Sequence, residues 1–374
     1  MKRTLTCILT ITTLLTLLFT SCNADASAGL FKQLADAKKP VEIRYRQIIG
    51  KDDTDLYFLT NDGIYKTDGT TIRGNKKGHP VYEAYIDKSP ATHYIIYLIN
   101  DGGTAKVYRF DPSGNPDPEM TFGTSLVEPK IKHLLPNGKV VVQGKKSGKN
   151  AFAIIEHNYT YDTSDISKEV LFEDLDGYGL DSILFMSGKQ QDPAEFIISF
   201  VTSGGSYKHY YTEGTTAKTY ELTLNKNKNL AGFWTNGTSL YLITKDGNLY
   251  GSDITDVPTG PTHMKDLSRQ FPSNAFVYGM SSGGTTYLIT KTKTANEALF
   301  VVSFADDTIT PPVNTKVIST GYASQMSNVN IVSAFEKSAG NLLIATEKNG
   351  MFDITITDAA TGEGSSAGPE DYTL

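Results

Sequence analysis

Two groups of residues have types and spacing that bear on chemistry. One is Cys22, at the end of a short apolar leader; the other is the carboxylates of Glu173-Asp174-Leu175-Asp176-Gly177-Tyr178-Gly179-Leu180-Asp181. Lys2 and Arg3 give a basic start, Leu5 to Phe19 an apolar run, and Phe19-Thr20-Ser21 sets small residues before the cysteine. This is a secretion leader with a cleavage site, too short and wrongly flanked for a stable membrane span. Cys7 leaves with the leader, so the mature chain has no disulfide and no thiolate metal site. Four carboxylates, Glu173, Asp174, Asp176 and Asp181, cluster around Gly177. His79, His93, His133, His157, His209 and His263 are scattered, with no pair three or four residues apart. Catalytic zinc needs three protein ligands in fixed geometry. No H-E-x-x-H, G-x-S-x-G or G-x-x-x-x-G-K-[ST] segment occurs, so nothing in the motifs supports an enzyme.

Phe19-Thr20-Ser21-Cys22 resembles a bacterial lipoprotein lipobox, with Thr20 and Ser21 in its small positions and Phe19 where leucine is usual. The looser lipoboxes of spirochaete lipoproteins are the more similar form. The resemblance implies cleavage after Ser21 and a Cys22 that carries a diacylglyceryl thioether and an amide-linked acyl chain. Each buried methylene contributes about 0.8 kcal/mol, so two or three chains anchor stably where one does not. Ala24-Asp25-Ala26 and Ala26-Ser27-Ala28 offer ordinary secretory cleavage sites a few residues on. The acidic loop resembles the calcium loops of integrin-type propeller repeats, which implies calcium on Asp174, Asp176 and Asp181. It departs from them at Tyr178, where a third acidic ligand belongs, and its closing aspartate comes one residue early. A solvated acidic turn between strands is the alternative.

These groups must be positioned by an exported body. A chain of 374 residues can bury a real core in one large all-β domain or two ordinary ones. No later segment has 18 continuous apolar residues, so the membrane is expected to be met only through the N-terminus. Losing Lys2 and Arg3 moves the formal charge from −6 to −8, which disfavours a nucleic-acid surface.

One unit recurs along the body: a β-branched and aromatic run, a turn dipeptide and a second run. Leu56 to Thr60, Asn61-Asp62-Gly63 and Ile64 to Asp68 form one copy. Leu240 to Thr244 with Asp246-Gly247 and Asn248 to Asp253 form another, and Asn341 to Thr346 with Asn349-Gly350 and Met351 to Asp353 a third. Asp-Gly or Asn-Gly between such runs is a strong hairpin signal, because the turn needs positive φ. Looser pairs join Tyr94–Leu98 to Val107–Phe110, Val140–Gln143 to Ala151–Ile155, Ile183–Met186 to Phe196–Val201, and Tyr287–Thr290 to Leu299–Phe304. A period of roughly 40 to 57 residues with four short strands per unit is that of a β-propeller. Seven hairpins imply seven blades; six or eight also fit the spacing around residues 183 to 240. Val41 to Tyr45 is expected to complete the last blade and close the ring. The repeat resembles the propeller units of bacterial periplasmic sensor domains, best at Asn341 to Phe352. Propellers that carry a tryptophan in most blades are disfavoured, since Trp234 is the only one.

The expected organisation is a signal peptide over 1–21, a lipid-anchored tether over 22–40, a single β-propeller over 41–358 and a disordered acidic tail over 359–374. Tyr207-Lys208-His209-Tyr210-Tyr211 is the densest aromatic cluster, read as stacking between blades or as a sugar or peptide surface. The functional expectation is a lipoprotein held on a bacterial membrane, its propeller a non-catalytic binding platform for an envelope protein or glycan. An envelope enzyme acting on glycans and a calcium-dependent adhesive propeller are the alternatives.

Overall fold

The structure, a computed structural model, describes residues 44–52, 55–66, 71–74, 79–87, 93–110, 116–156, 169–185, 195–213, 218–224, 229–235, 238–254, 262–266, 276–282, 285–291, 299–305, 314–318, 331–338, 341–347, 350–358 and 363–367. Cys22, the leader and the tether lie outside them, as does His157. By compactness the chain divides into Met1–Glu42 and Ile43–Leu374, and every described residue belongs to the second unit. Among the described residues no helix is long and apolar enough to cross a membrane.

The described strands form seven four-stranded antiparallel sheets, each built from consecutive strands. Blade 1 holds β1 (Tyr45–Lys51), β2 (Leu56–Thr60), β3 (Gly63–Lys66) and β4 (Thr71–Gly74). Blade 2 holds β5 (Val81–Asp87), β6 (Tyr94–Asp101), β7 (Thr104–Phe110) and β8 (Pro116–Glu119). Blade 3 holds β9 (Val127–Leu134), β10 (Lys139–Lys146), β11 (Lys149–Glu156) and β12 (Glu169–Phe172). Blade 4 holds β13 (Tyr178–Phe185), β14 (Phe196–Thr202), β15 (Tyr207–Glu213) and β16 (Lys218–Leu222). Blade 5 holds β17 (Leu230–Thr235), β18 (Ser239–Thr244), β19 (Asn248–Asp253) and β20 (Thr262–Asp266). Blade 6 holds β21 (Phe276–Ser282), β22 (Thr285–Lys291), β23 (Leu299–Ala305) and β24 (Asn314–Ile318). Blade 7 holds β25 (Ile331–Ser338), β26 (Asn341–Thr346), β27 (Met351–Asp358) and β28 (Glu363–Ala367). First strands of successive blades touch except between blades 3 and 4, which pack through Phe152 and Phe200, and β1 touches β25, so the sheets close into a ring with the first strands innermost. This is a seven-bladed propeller.

A sheet stacked between two others buries both faces, so its middle strands need unbroken apolar runs and not alternation. The sequences LYFLT of β2 and SLYLIT of β18 are buried at every position. The core is a set of interblade layers. Tyr57 and Leu59 of blade 1 meet Ile86 and Tyr97 of blade 2, and Phe152 and Phe172 of blade 3 meet Phe196 and Phe200 of blade 4. Ile48 and Phe58 of blade 1 meet Phe335 and Leu343 of blade 7.

The turns between second and third strands of blades 1, 5 and 7 share a threonine clasp. Thr60 Oγ1 accepts from the amides of Asp62 and Gly63 at 3.1 and 3.2 Å. Thr244 Oγ1 accepts from Asn248 N at 3.0 Å, and Thr346 Oγ1 donates to Gly350 O at 2.7 Å. Gly247 and Gly350 supply the positive φ, 87° and 80°, that these turns require.

Two expectations are corrected. Tyr45 does not complete the last blade: the strand it begins pairs with β2 inside blade 1, and blade 7 holds four strands of its own. Its fourth strand is Glu363–Ala367, which falls in the stretch expected to be a disordered tail and pairs with β27 instead. An outermost strand is held by backbone pairing along one edge, so small polar residues suffice there. The runs that open the recurring hairpins are, apart from the one at Ile183, the second strands of their blades. The true inner strands each carry a register shift near their start, which breaks their hydrophobic pattern.

Candidate functional site

Blade 3 departs from its neighbours. Its inner strand β9 has five exposed residues, two half-buried and one buried, whereas β5 is mostly buried. Among the described residues, the non-glycine residues with positive φ all lie in or next to this blade: Glu128 at 54°, Ser147 at 51° and Asp174 at 52°. Each such residue costs about 1–2 kcal/mol, held in place by surrounding structure. Glu128 sits in the irregular stretch where Lys130 pairs with Gln143 and Val127 with Lys145, so the strand bends at its entry. The bend runs close over Gly144: a Cβ there would lie 2.9 Å from Leu126 Cβ and from Val127 O.

The bend leaves a cleft of about 590 Å³ between blades 2 and 3. One wall is the turn of blade 2, with Asn100 and Thr104. The rim is the connection through Glu119, Met120, Thr121 and Phe122, and the other wall is Pro129 to Lys132 of β9. Val142 and Ile155 form the floor. The connection is fixed at both ends. Met120 N donates to Val107 O at 2.8 Å on blade 2. On blade 3, Thr124 Oγ1 and Ser125 N donate to Glu169 Oε1 at 2.6 and 3.1 Å. Deeper in, Glu83 of β5 joins the inner strands, accepting from Leu134 N at 2.6 Å with His133 Nδ1 also at 2.6 Å. The cleft is therefore built before any ligand arrives.

Its charge is uneven. Among the described residues Glu119 is the only carboxylate in the lining, and it lies 3.7 Å from Lys106 Nζ and accepts from Tyr108 OH at 3.4 Å. Lys106 is also 2.9 Å from Asp101, and the pair holds the Asp101 carboxyl below its usual range. Lys130 and Lys132 are exposed, and among the described residues neither has an ion-pair partner.

The acidic loop predicted from sequence lies on the other side of the same blade, between β12 and β13. Asp174 Oδ1 is 2.7 Å from Lys149 Nζ, which holds that carboxyl below its ordinary value. Asp176 Oδ1 accepts from Asn150 N at 2.8 Å, and Asn150 Nδ2 donates to Tyr178 O at 3.0 Å. Asp181 is exposed on β13, where the strand slips register between Leu180 and Ser182. The loop is thus tied to the β10–β11 turn by its carboxylates. Among the described residues, no three His, Cys, Asp or Glu side chains are grouped to hold a metal ion.

The aromatic cluster of β15 packs between blades. Tyr210 meets Phe172 of blade 3 at 5.1 Å, and Tyr211 meets Phe233 of blade 5 at 6.3 Å. Sequence reasoning missed two features. The cleft joins segments on two blades, with lysines that carry no local motif. Ser199 and His209 face each other across β14 and β15, with Oγ and Nδ1 2.7 Å apart, but both are buried inside blade 4, out of reach of a substrate.

No family model and no curated protein matches the chain. Solved structures do. One comes from an analysis of two prolyl endopeptidases: 11% identical, TM-score 0.53, covering 95% of this chain and 55% of that one. A mutant puromycin hydrolase complexed with PGG is 11% identical at TM-score 0.51, covering 89% and 54%. A post-proline cleaving enzyme from Rickettsia typhi is 11% identical at TM-score 0.51, covering 82% and 51%. The likeness is one of fold. The chain spans about half the length of each of these proteins, and identity this low carries the propeller architecture without their chemistry.

Proposed function

We propose that this protein is a lipoprotein held on a bacterial membrane by acylated Cys22, and that its propeller is a binding platform for an envelope partner. The cleft between blades 2 and 3 is its binding site. The observation that carries the platform reading is that cleft: its size is within the range of ligand pockets, roughly 300–1,000 Å³. It has an apolar floor, a polar rim and a rigid frame. Asn100, Thr104 and Thr121 around that apolar floor support a binding role. The anchor rests on the leader and on Phe19-Thr20-Ser21-Cys22.

The two halves are tested separately. Metabolic labelling with a fatty-acid analogue should mark the wild-type chain and not Cys22→Ala; equal labelling of both overturns the anchor. A photo-cross-linker at Thr121, on the rim of the cleft, should capture a discrete envelope component in cells, and one at exposed Asp246 should not. Identical capture from both positions overturns the assignment of the cleft.

A further inference from the structure

We infer that the mouth of the propeller's axis is a further binding site, one that takes a neutral sugar. It goes beyond the reading of the cleft and does not depend on it. Each inner strand carries an extra residue against its second strand. On blades 1 to 4 these bulged residues are Arg46, Tyr82, Lys132 and Asp181. Ala231, Val277 and Val332 are their counterparts on blades 5 to 7. Hydrogen bonds between inner strands set the bulges level. Gln47, next to Arg46, donates from Nε2 to Ala84 O at 2.8 Å and accepts from Ala84 N at 3.3 Å. Glu83, next to Tyr82, accepts from Leu134 N at 2.6 Å in the same manner. Ala84 and Leu134 each lie two residues past their own bulge, so Arg46, Tyr82 and Lys132 stand side by side on neighbouring strands. A bulge re-aims its side chain. Neighbouring blades cover both faces of an inner strand and the second strand covers one edge, so an exposed bulge opens on the axis.

Arg46, Tyr82, Lys132 and Asp181 are all exposed, although β1 and β5 are otherwise mostly buried. Tyr82 is 43% exposed, one of two large apolar side chains so open among the described residues. The Arg46 guanidinium lies 5.7 Å from the centre of its ring and is itself held by donating to Val81 O at 2.9 Å. A steadied tyrosine ring offers a flat surface for the C–H face of a pyranose. The guanidinium, the ammonium of Lys132 and the phenol supply donors, and the Asp181 carboxylate supplies acceptors. Sugar hydroxyls both donate and accept, so they use such a mixed set, whereas a simple ion of either sign meets a like charge at this mouth. Room for a ligand is also present. The inner strands of blades 3 and 4 are the one adjacent pair not closely packed among the described strands, so the mouth widens between Lys132 and Asp181. Those blades are joined instead through strands farther out, where the rings of Phe152 and Phe200 are 4.8 Å apart.

The test applies the full chain in lipid nanodiscs to an array of neutral glycans that end in glucose, galactose, mannose, rhamnose or N-acetylglucosamine, with empty nanodiscs as the blank. Binding to a subset of them is expected. Tyr82→Ala should weaken that binding about tenfold, by loss of the stacking surface. Tyr82→Phe should retain most of it, because the ring face remains. Asp181→Ala should also weaken it, and Lys51→Ala, at the far end of β1, should leave it unchanged. Unchanged circular dichroism will show that each variant is folded. Absence of binding to every glycan on the array overturns the inference, as does undiminished binding by either Tyr82→Ala or Asp181→Ala. A loss in Tyr82→Phe equal to that in Tyr82→Ala overturns it too. Capture through Thr121 decides the reading of the cleft separately from any of these results.

Discussion

Trp234 of blade 5 lies against Gly279 of blade 6 so closely that a Cβ on the glycine would sit 2.9 Å from both Cβ and Cγ of the indole. Real side chains do not approach that near, and Trp234 is itself buried among the apolar residues of blades 4 and 5. Gly279→Ala must therefore push the indole or part the blades. The expected cost is about 1–3 kcal/mol, as for overpacking elsewhere. Thermal unfolding measures it, and the fluorescence of the single tryptophan reports the displacement directly.

The threonine clasp makes a second expectation. Thr60 is fully buried, and its hydroxyl serves two amides while donating to Gly63 O at 3.1 Å. Thr60→Val keeps the shape and removes the hydroxyl, leaving those groups short of a partner at a cost of about 1–2 kcal/mol. Denaturant unfolding should show a lower midpoint with an unchanged slope.

Blades 2 and 3 are joined at the axis through Glu83. Glu83→Ala removes the acceptor of the Leu134 amide and of His133, and should cost about 1–3 kcal/mol. Glu83→Gln keeps a carbonyl for the amide and should lose less. Hydrogen exchange at Leu134, faster in the alanine variant than in the glutamine variant, separates the two.

Alkaline pH should act through the interblade tyrosines. Burial pushes Tyr45 and Tyr210 up to about 12, and raises Tyr278 together with the nearby Glu336. The folded protein thus keeps phenolic protons that the unfolded chain releases near its ordinary value of 10. This contribution to stability is full below about pH 10 and is lost as pH rises through the folded values. Absorbance titration should show some tyrosines ionising only when the protein unfolds.

The pair of Lys149 and Asp174 has the opposite acid limb. Lys149 holds the Asp174 carboxyl low, so its contribution is present above the ordinary aspartate value of 3.8 and disappears as pH falls through the lowered one. Lys149 itself is raised, so the same contribution fades again as pH climbs past 10.5. Lys149→Met should flatten this dependence, and high salt should shrink it in the wild type, both read by melting temperature.

The hairpins were legible in the sequence because strands buried on two faces need unbroken apolar runs, and LYFLT-NDG or SLYLIT-KDG states both the run and its turn. Six of the seven hairpins in the sequence are second and third strands of blades, and that around Ile183 is a first and second. The inner strands were harder to see. At β9 the register shift and five exposed positions erase the periodicity that marks a strand. Glu363–Ala367 was invisible for another reason, since backbone pairing at an outer edge asks nothing of side-chain hydrophobicity. The cleft could not be read at all. Its walls come from residues 100–105 and 129–132, joined by a connection whose position depends on Glu169 far along the chain.

Ring closure through packing of blades 1 and 7, with every sheet encoded by one uninterrupted stretch, bears on how such a molecule can be rearranged. Cutting the gene between any two blades and joining the old ends would leave all hydrogen-bonded ladders whole, so circular permutants should tolerate six alternative start points. Copying one stretch would insert a complete sheet, which makes blade number a quantity that single duplications can change.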